Sequence, residues 1–388
     1  MFQGRFVFAQ LFALVSKYEF NKCVSRYSGD YKVRDFTCWN QFLCMSFGQL
    51  TNRESLRDIV ICLNAHQEKL HHLGIQSRVA RSTLADANER RDWRIYADFA
   101  QHLIRQARSL YFEDGEFCTE LENTVYALDS TTIDLCLEVF PWARFRKKKG
   151  AIKLHTLLDV RGSIPTFIWI TDGKVHDVNV LDLLDFEAGA FYLMDRAYID
   201  FARLHRINEA KGFFVVMAKK NFKFRRLYSN KVDKSIGLRC DQTIKTAGGR
   251  SKDSYPDKLR RIKYYDREYG NYYVFLTNNF SVEAKLIADL YKMRWQVELF
   301  FKWIKQHLKI KVFWGASPNA VKTQVWIAVA TYVLVAIARK RLGLSQTLYE
   351  TLQILSVSTL DKVPVNELFR NDDSPNNDES PHNQLTLF

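Results

Sequence analysis

Tyr291, Arg294, Glu298 and Lys305 are separated by three, four and seven positions. On an α-helix those spacings gather all four side chains within an arc of roughly 60°. A second stripe, Leu286, Leu290, Met293, Val297, Phe300, Ile304 and Leu308, recurs every three or four positions and marks a buried face. The helix therefore offers, beside its apolar face, one carboxylate flanked by two cations and a phenol. A carboxylate suits a divalent metal, whereas Arg and Lys suit phosphate oxygens. A solvated face carrying ordinary Arg–Glu and Glu–Lys pairs has the same composition, so the discriminating residues must lie elsewhere.

They are two aspartates. Val125–Asp129 and Phe191–Asp195 are short apolar runs that each end in an acid, and the ends of strands in α/β sheets are where ligands gather. Asp129, Asp195 and a helix-borne Glu298 would put three carboxylates around one point, an arrangement that repels itself unless cations are present. Oxygen-only ligation favours Mg²⁺, with Mn²⁺ able to substitute. Two such ions can activate a nucleophile and stabilise the leaving oxygen of a phosphodiester. Asp134, Glu138, Asp159, Asp172 and Asp177 are competing acids, and periodicity alone does not exclude Asp159. His155 reads as packed in a strand, and His176 as making a structural hydrogen bond.

Elements must position these groups. Residues 1–112 read as helical, with a capping-box pattern at Thr51–Glu54 ahead of Leu56, Ile59, Val60 and Leu63. Ser77–Arg91 resembles the second half of a helix-turn-helix, with Ser82 or Thr83 as its cap. From about residue 120 the texture changes to strands: Val125–Asp129, Lys153–Val160 and Ile164–Thr171, the last two joined by the turn Arg161–Ser163. Then come a helix near 178–185, the run Phe191–Asp195, a helix at 201–210 and a strand at Phe213–Met217. Three strands followed by α-β-α-β indicate a mixed α/β sheet. Residues 219–280 are Lys/Arg-rich and read as a β-rich insertion within a core spanning 113–370. The Asn-, Asp- and Ser-rich tail, 371–388, reads as disordered.

The net charge of +14 points to a polyanionic partner. Basic runs at Arg144–Lys149 and Lys219–Arg226 interleave cations with aromatics, a pattern that supplies phosphate contacts and stacking surfaces. Trp295, next to the proposed site, could stack on a base displaced from a duplex. Seven scattered cysteines without a C-x-x-C pair fit a reduced, cytoplasmic protein rather than a zinc site. The apolar run Val325–Ala338 is short for a bilayer span and reads as a buried core helix, so no membrane partner is expected.

Leu128-Asp129-Ser130-Thr131-Thr132, Asp195-Arg196-Ala197-Tyr198 and the Tyr291/Arg294/Glu298/Lys305 set resemble the signature regions of DDE transposases of the bacterial insertion-sequence-four family. Lys153–His155 and Gly173–Asp177 resemble segments between that family's first two acids, and the likeness covers about residues 120–340. It implies an RNase H-like catalytic core with a β-rich insertion, preceded by an all-α DNA-binding region. By the same likeness Asp129, Asp195 and Glu298 form the catalytic, metal-binding triad with two ions. Tyr291, Arg294 and Lys305 hold phosphates of the transposon end; Trp295 and Arg196, from their places beside the proposed site, are further candidates for DNA contact. Ala197 stands where many members have Gly. The implied activity is metal-dependent cutting at the ends of an insertion sequence and joining of the 3′-hydroxyls to target DNA. Its partners are double-stranded DNA and a second copy of the chain, and its location is the bacterial nucleoid. A nuclease of the same fold without strand transfer, and a DNA-binding derivative without catalysis, are the alternatives.

Overall fold

Among the described residues, six α-helices precede the first strand: α1 (Val7–Phe12), α2 (Lys17–Arg26), α3 (Cys38–Leu50), α4 (Leu56–Ala65), α5 (Arg81–Arg90) and α6 (Arg94–Tyr111). The computed structural model describes residues 4–112, 121, 123–146, 149–307 and 313–369; the expected disordered tail and the middle of the Arg144–Lys149 run lie outside these. Side-chain caps set several helix starts. Ser16, Thr37 and Ser55 accept from the backbone N–H three residues on, which starts α2, α3 and α4. The expected capping box at Thr51–Glu54 does not form. Helix α3 runs to Leu50 and takes Thr51 as its C-cap, the Thr51 hydroxyl donating to Phe47 O at 2.7 Å, so Ser55 caps α4 instead.

The helix-turn-helix geometry is also absent. Residues 66–80, including two 3-10 turns, separate α4 from α5, far more chain than the tight turn of that motif. The N-cap of α5 is Ala80, which makes no side-chain cap; Ser82 and Thr83 lie inside the first turn. Helix α5 still presents a polar exposed face: Arg81, Ser82, Thr83, Asp86, Glu89 and Arg90.

Ten strands form one mixed sheet: β1 (Val125–Leu135), β2 (Arg144–Arg146), β3 (Lys149–Asp159), β4 (Ile164–Asp172), β5 (Phe191–Met194), β6 (Phe213–Met217), β7 (Phe224–Asn230), β8 (Leu238–Thr246), β9 (Leu259–Asp266) and β10 (Asn271–Thr277). Its order is β4-β3-β1-β5-β6-β10-β9-β8-β7, with the short β2 also on β3. Strands β1, β3 and β4 are antiparallel, whereas β1, β5 and β6 run parallel. The helix expected near 178–185 is a 3-10 segment, Asp177–Leu183. Helix α7 (Phe201–Glu209) makes the crossover from β5 to β6. The 219–280 segment is β-rich as expected, with one short helix, α8 (Gly249–Ser254). Its strands extend the main sheet, because β10 pairs with β6.

Four α-helices follow among the described residues: α9 (Ala284–Met293), α10 (Trp295–His307), α11 (Pro318–Arg341) and α12 (Leu348–Ser358). The single helix expected through Tyr291–Lys305 is thus two, meeting at Arg294. There the backbone bonds tighten to three-residue steps: Arg294 N to Tyr291 O at 3.1 Å and Val297 N to Arg294 O at 3.2 Å. The two halves rest on different surfaces, α9 on β5, β6, β8 and β9, and α10 on β1 and β3. Helix α11 is longer than its apolar run and is long and apolar enough to cross a membrane, yet nearly all of it is buried within the fold. Its Thr331 hydroxyl meets Ser46 Oγ of α3 at 3.0 Å. Asn319 donates to Asn88 O (2.9 Å) and Arg91 O (2.7 Å), and Ala336 O accepts from the Tyr111 hydroxyl of α6 (3.0 Å). One continuous apolar core therefore joins α1–α6, one face of the sheet and α11, while a second core fills the opposite face.

Candidate active site

Parallel register brings the two aspartates together. Leu128 pairs with Met194, so the next residues, Asp129 and Asp195, fall side by side where β1 and β5 part. Alternation then fixes their direction. Ala127 and Leu193 belong to the core shared with the helices, and residues two further along point the same way. Asp195 directly follows its strand, as expected. Asp129 does not end β1, which continues to Leu135 because the long hairpin strand β3 stays paired with it, Asp129 opposite Thr156.

Helix α10 covers that face and delivers Glu298. Arg294 bridges the elements: its Nη1 donates to Asp129 Oδ2 at 3.0 Å and its Nη2 to Glu298 Oε1 at 2.5 Å. Asp129 Oδ1 accepts from the Ser130 backbone N–H at 2.8 Å. Asp195 Oδ1 accepts from Ala197 N–H at 2.5 Å and caps the 3-10 turn Arg196–Tyr198. Ala197 keeps a negative φ, so the turn does not need the Gly common at that place. Burial raises the Asp129 carboxyl to about 6; the Ser130 N–H and Arg294 oppose the rise, while Asp195 and Glu298 add to it. The three acids therefore feel one another.

Tyr291 is buried against Phe275, ring centroids 4.8 Å apart, with the Arg294 guanidinium 5.7 Å from its own ring. Burial lifts its hydroxyl to about 12, Arg294 counteracting and Asp195 reinforcing. Lys305 sits farther along α10, where its Nζ donates to Thr132 O at 2.9 Å and ties the helix to β1. Arg196 and Trp295 are exposed at the rim, Arg196 reaching Met217 Sδ at 3.1 Å. Asp159 is excluded: it lies opposite Tyr126, near the far end of β1, and is paired with Arg108 at 3.3 Å.

Spacing did not reveal a second polar group beneath Asp129. Asp177 accepts from Ser130 Oγ at 2.6 Å and from Lys153 Nζ at 3.0 Å. Burial pushes its carboxyl up, but these two hydrogen bonds together with the charge of Lys153 hold it below the ordinary range. His155 is fully buried beside Trp169, and burial lowers it to about 4, which agrees with a packed, neutral ring. The signal available in the sequence was Lys153, a lone cation within an apolar strand.

All three triad donors are carboxylate oxygens, the set hard divalent cations take, and a guanidinium already stands between two of them. The donor chemistry fits such an ion. Among the described residues, however, no three His, Cys, Asp or Glu side chains are drawn together closely enough to hold one as they stand.

Residues 120–334, more than half of the chain, match the family model described as Transposase DDE domain. The chain belongs to the DDE transposase family. Residues 3–76 match a domain of unknown function, DUF4372. A protein named as transposase y4zB from Sinorhizobium fredii is 34 % identical over 265 residues, 66 % of this chain and 71 % of that protein. One named as the transposase for insertion sequence element IS5377 from Geobacillus stearothermophilus is 32 % identical over 209 residues, 53 % of this chain and 54 % of that one. The solved synaptic complex of piggyBac transposase with hairpin DNA aligns over 98 % of this chain and 87 % of that one, at 10 % identity and a TM-score of 0.44. That likeness is too low to assign a shared fold. Membership makes this chain a transposase, an enzyme of a family that acts on DNA with divalent metal ions.

Proposed function

We propose that this transposase is of the insertion-sequence-four type. It binds the ends of its element, cuts them by phosphodiester hydrolysis and joins the 3′-hydroxyls to target DNA as a homodimeric synaptic complex. The strand order β4-β3-β1-β5-β6, with three antiparallel strands followed by two parallel ones, supports an RNase H-like core. The observation that carries the site is the parallel register of β1 and β5, which sets Asp129 beside Asp195 under the helix bearing Glu298.

In this reading Asp129, Asp195 and Glu298 hold two Mg²⁺ ions, which supply activation of the attacking oxygen and stabilisation of the leaving one. Rigid elements carry two of the ligands: Asp129 is fixed by its pairing with Thr156 of β3 directly after the Leu128–Met194 pair with β5, and Asp195 by its cap to Ala197. Lys305, Arg294 and Tyr291 face backbone phosphates, Tyr291 from beside the Arg294 guanidinium, and Trp295 and Arg196 meet DNA at the rim. The exposed face of α5 and the basic free-edge strand β7, with Arg225 and Arg226 exposed, extend the contact to flanking duplex.

Replacing Asp129, Asp195 or Glu298 singly with Ala should abolish Mg²⁺-dependent nicking of the element's end while a gel shift of that end stays largely intact. Affinity comes mainly from basic contacts, whereas the carboxylates serve the chemistry. Near-normal nicking by any of the three variants would remove that residue from the triad.

A further inference from the structure

Arg294 occupies an unusual position for a residue expected to hold DNA. Its side chain is only 14 % exposed, and its two terminal nitrogens are both spent on acids of the triad, one on the sheet and one on α10. Asp129 consequently has both oxygens engaged, Oδ1 by Ser130 N–H and Oδ2 by the guanidinium. Arg294 is also the residue between α9 and α10, where the helical bonds tighten, so its side chain issues from a joint rather than from mid-helix. Its Nε is buried and has no hydrogen-bond acceptor, which leaves the guanidinium incompletely satisfied where it sits.

We propose that Arg294 is a resident counterion that competes with divalent metal for Asp129 and Glu298. This rests on the reading of those acids as metal ligands. A guanidinium is a planar, permanently charged fork. Lodged between two carboxylates, it neutralises their repulsion and repels a second cation placed against the same oxygens. Metal coordination by Asp129 and Glu298 together requires the fork to leave at least one of them. Asp195 is not part of the bridge; its carboxylate is held by Ala197 N–H. The metal-free protein thus holds a cation against Asp129 and Glu298 and leaves Asp195 outside that ion pair. A phosphate oxygen able to meet Nε as well as a terminal nitrogen offers the fork a fuller set of acceptors than the acids do. Loading of metal is in this way tied to the arrival of DNA.

The test measures Mn²⁺ binding to the DNA-free full-length chain by electron paramagnetic resonance, for wild type, Arg294→Met, Asp129→Asn, and Arg294→Met combined with Asp129→Asn. Removing the fork should tighten Mn²⁺ binding tenfold or more, equivalent to about 1.4 kcal/mol, and Mn²⁺ should raise the melting temperature of Arg294→Met more than that of wild type. Adding Asp129→Asn should cancel the gain. If Arg294→Met binds within threefold of wild type while Asp129→Asn weakens binding, the counterion role is overturned and the metal site stands. If Asp129→Asn changes nothing in either background, the metal site itself has failed, and this inference with it. Should Arg294→Met not fold, Arg294→Lys, which keeps the charge but can reach only one acid, decides the matter: unchanged affinity overturns the role.

Discussion

Replacing Asp129 with Asn should make the metal-free protein more stable at neutral pH, although it removes an ion pair with Arg294. The carboxyl is raised from an ordinary 3.8 to about 6, and only 20 % of its side chain is exposed, so solvent relieves little of the strain. A displacement of about two pKa units corresponds to about 3 kcal/mol between the protonation states. The sign follows from proton counting. Between about pH 4 and 6 the folded chain retains a proton that the unfolded chain has lost, so stability falls as pH rises through that window and levels off above it. Asn cannot ionise and escapes the penalty. The variant should therefore exceed wild type by about 2–3 kcal/mol at pH 7.5, and the difference should shrink toward zero near pH 4. Urea unfolding in EDTA at several pH values measures it directly. A variant less stable than wild type at pH 7.5, or an advantage that persists undiminished in acid, would refute the argument. Adding Mg²⁺ should narrow the gap from the other side, because the cation stabilises only the chain that keeps its carboxylate.

Two further outcomes are expected. Lys305→Gln should slow single-turnover cleavage of pre-bound ends by about tenfold or more, the factor that 1.4 kcal/mol gives; a rate within about threefold of wild type would confine Lys305 to its bond with Thr132 O. Asp241→Asn should cost about 3–5 kcal/mol in urea unfolding, since it leaves the guanidinium of Arg260 buried without its partner. The pair is bidentate at 2.8 and 3.0 Å, and Arg260 also holds Asn279 O and Val282 O ahead of α9, so a loss near 1 kcal/mol would mean that water reaches it.

Much of the sheet was legible because buried strands announce themselves. The runs at 125, 153, 164, 191 and 213 each became a strand, the last three within one residue of the expected limits. The lengths of β1 and β3 were not legible. Polar Ser130, Thr131 and Thr132 look like a turn, and only pairing with β3 makes them a strand. The break at Arg294 escaped for a similar reason: the heptad-like stripe runs through it unbroken, and the two surfaces that separate α9 from α10 come from distant parts of the chain. The capping box failed because a local pattern competed with the end of the preceding helix, and nothing in four residues says where α3 stops. Asp177 stood among several acids, and only the crossing of β1, β3 and the 3-10 segment picks it out through Ser130 and Lys153.

The placement of α11 has a consequence for how such an element decays in its host genome. Copies of mobile DNA accumulate frameshifts and deletions, and a modular protein would shed short products that still occupy the element's ends and silence intact copies. Here the wall against which α3, α5 and α6 pack arrives late, at residues 318–341. A product ending before it would leave the apolar faces of its own first helices uncovered. Loss of the catalytic half would then also cost the first helices the surface they pack against, and a degenerate copy would yield no product able to restrain an active sibling.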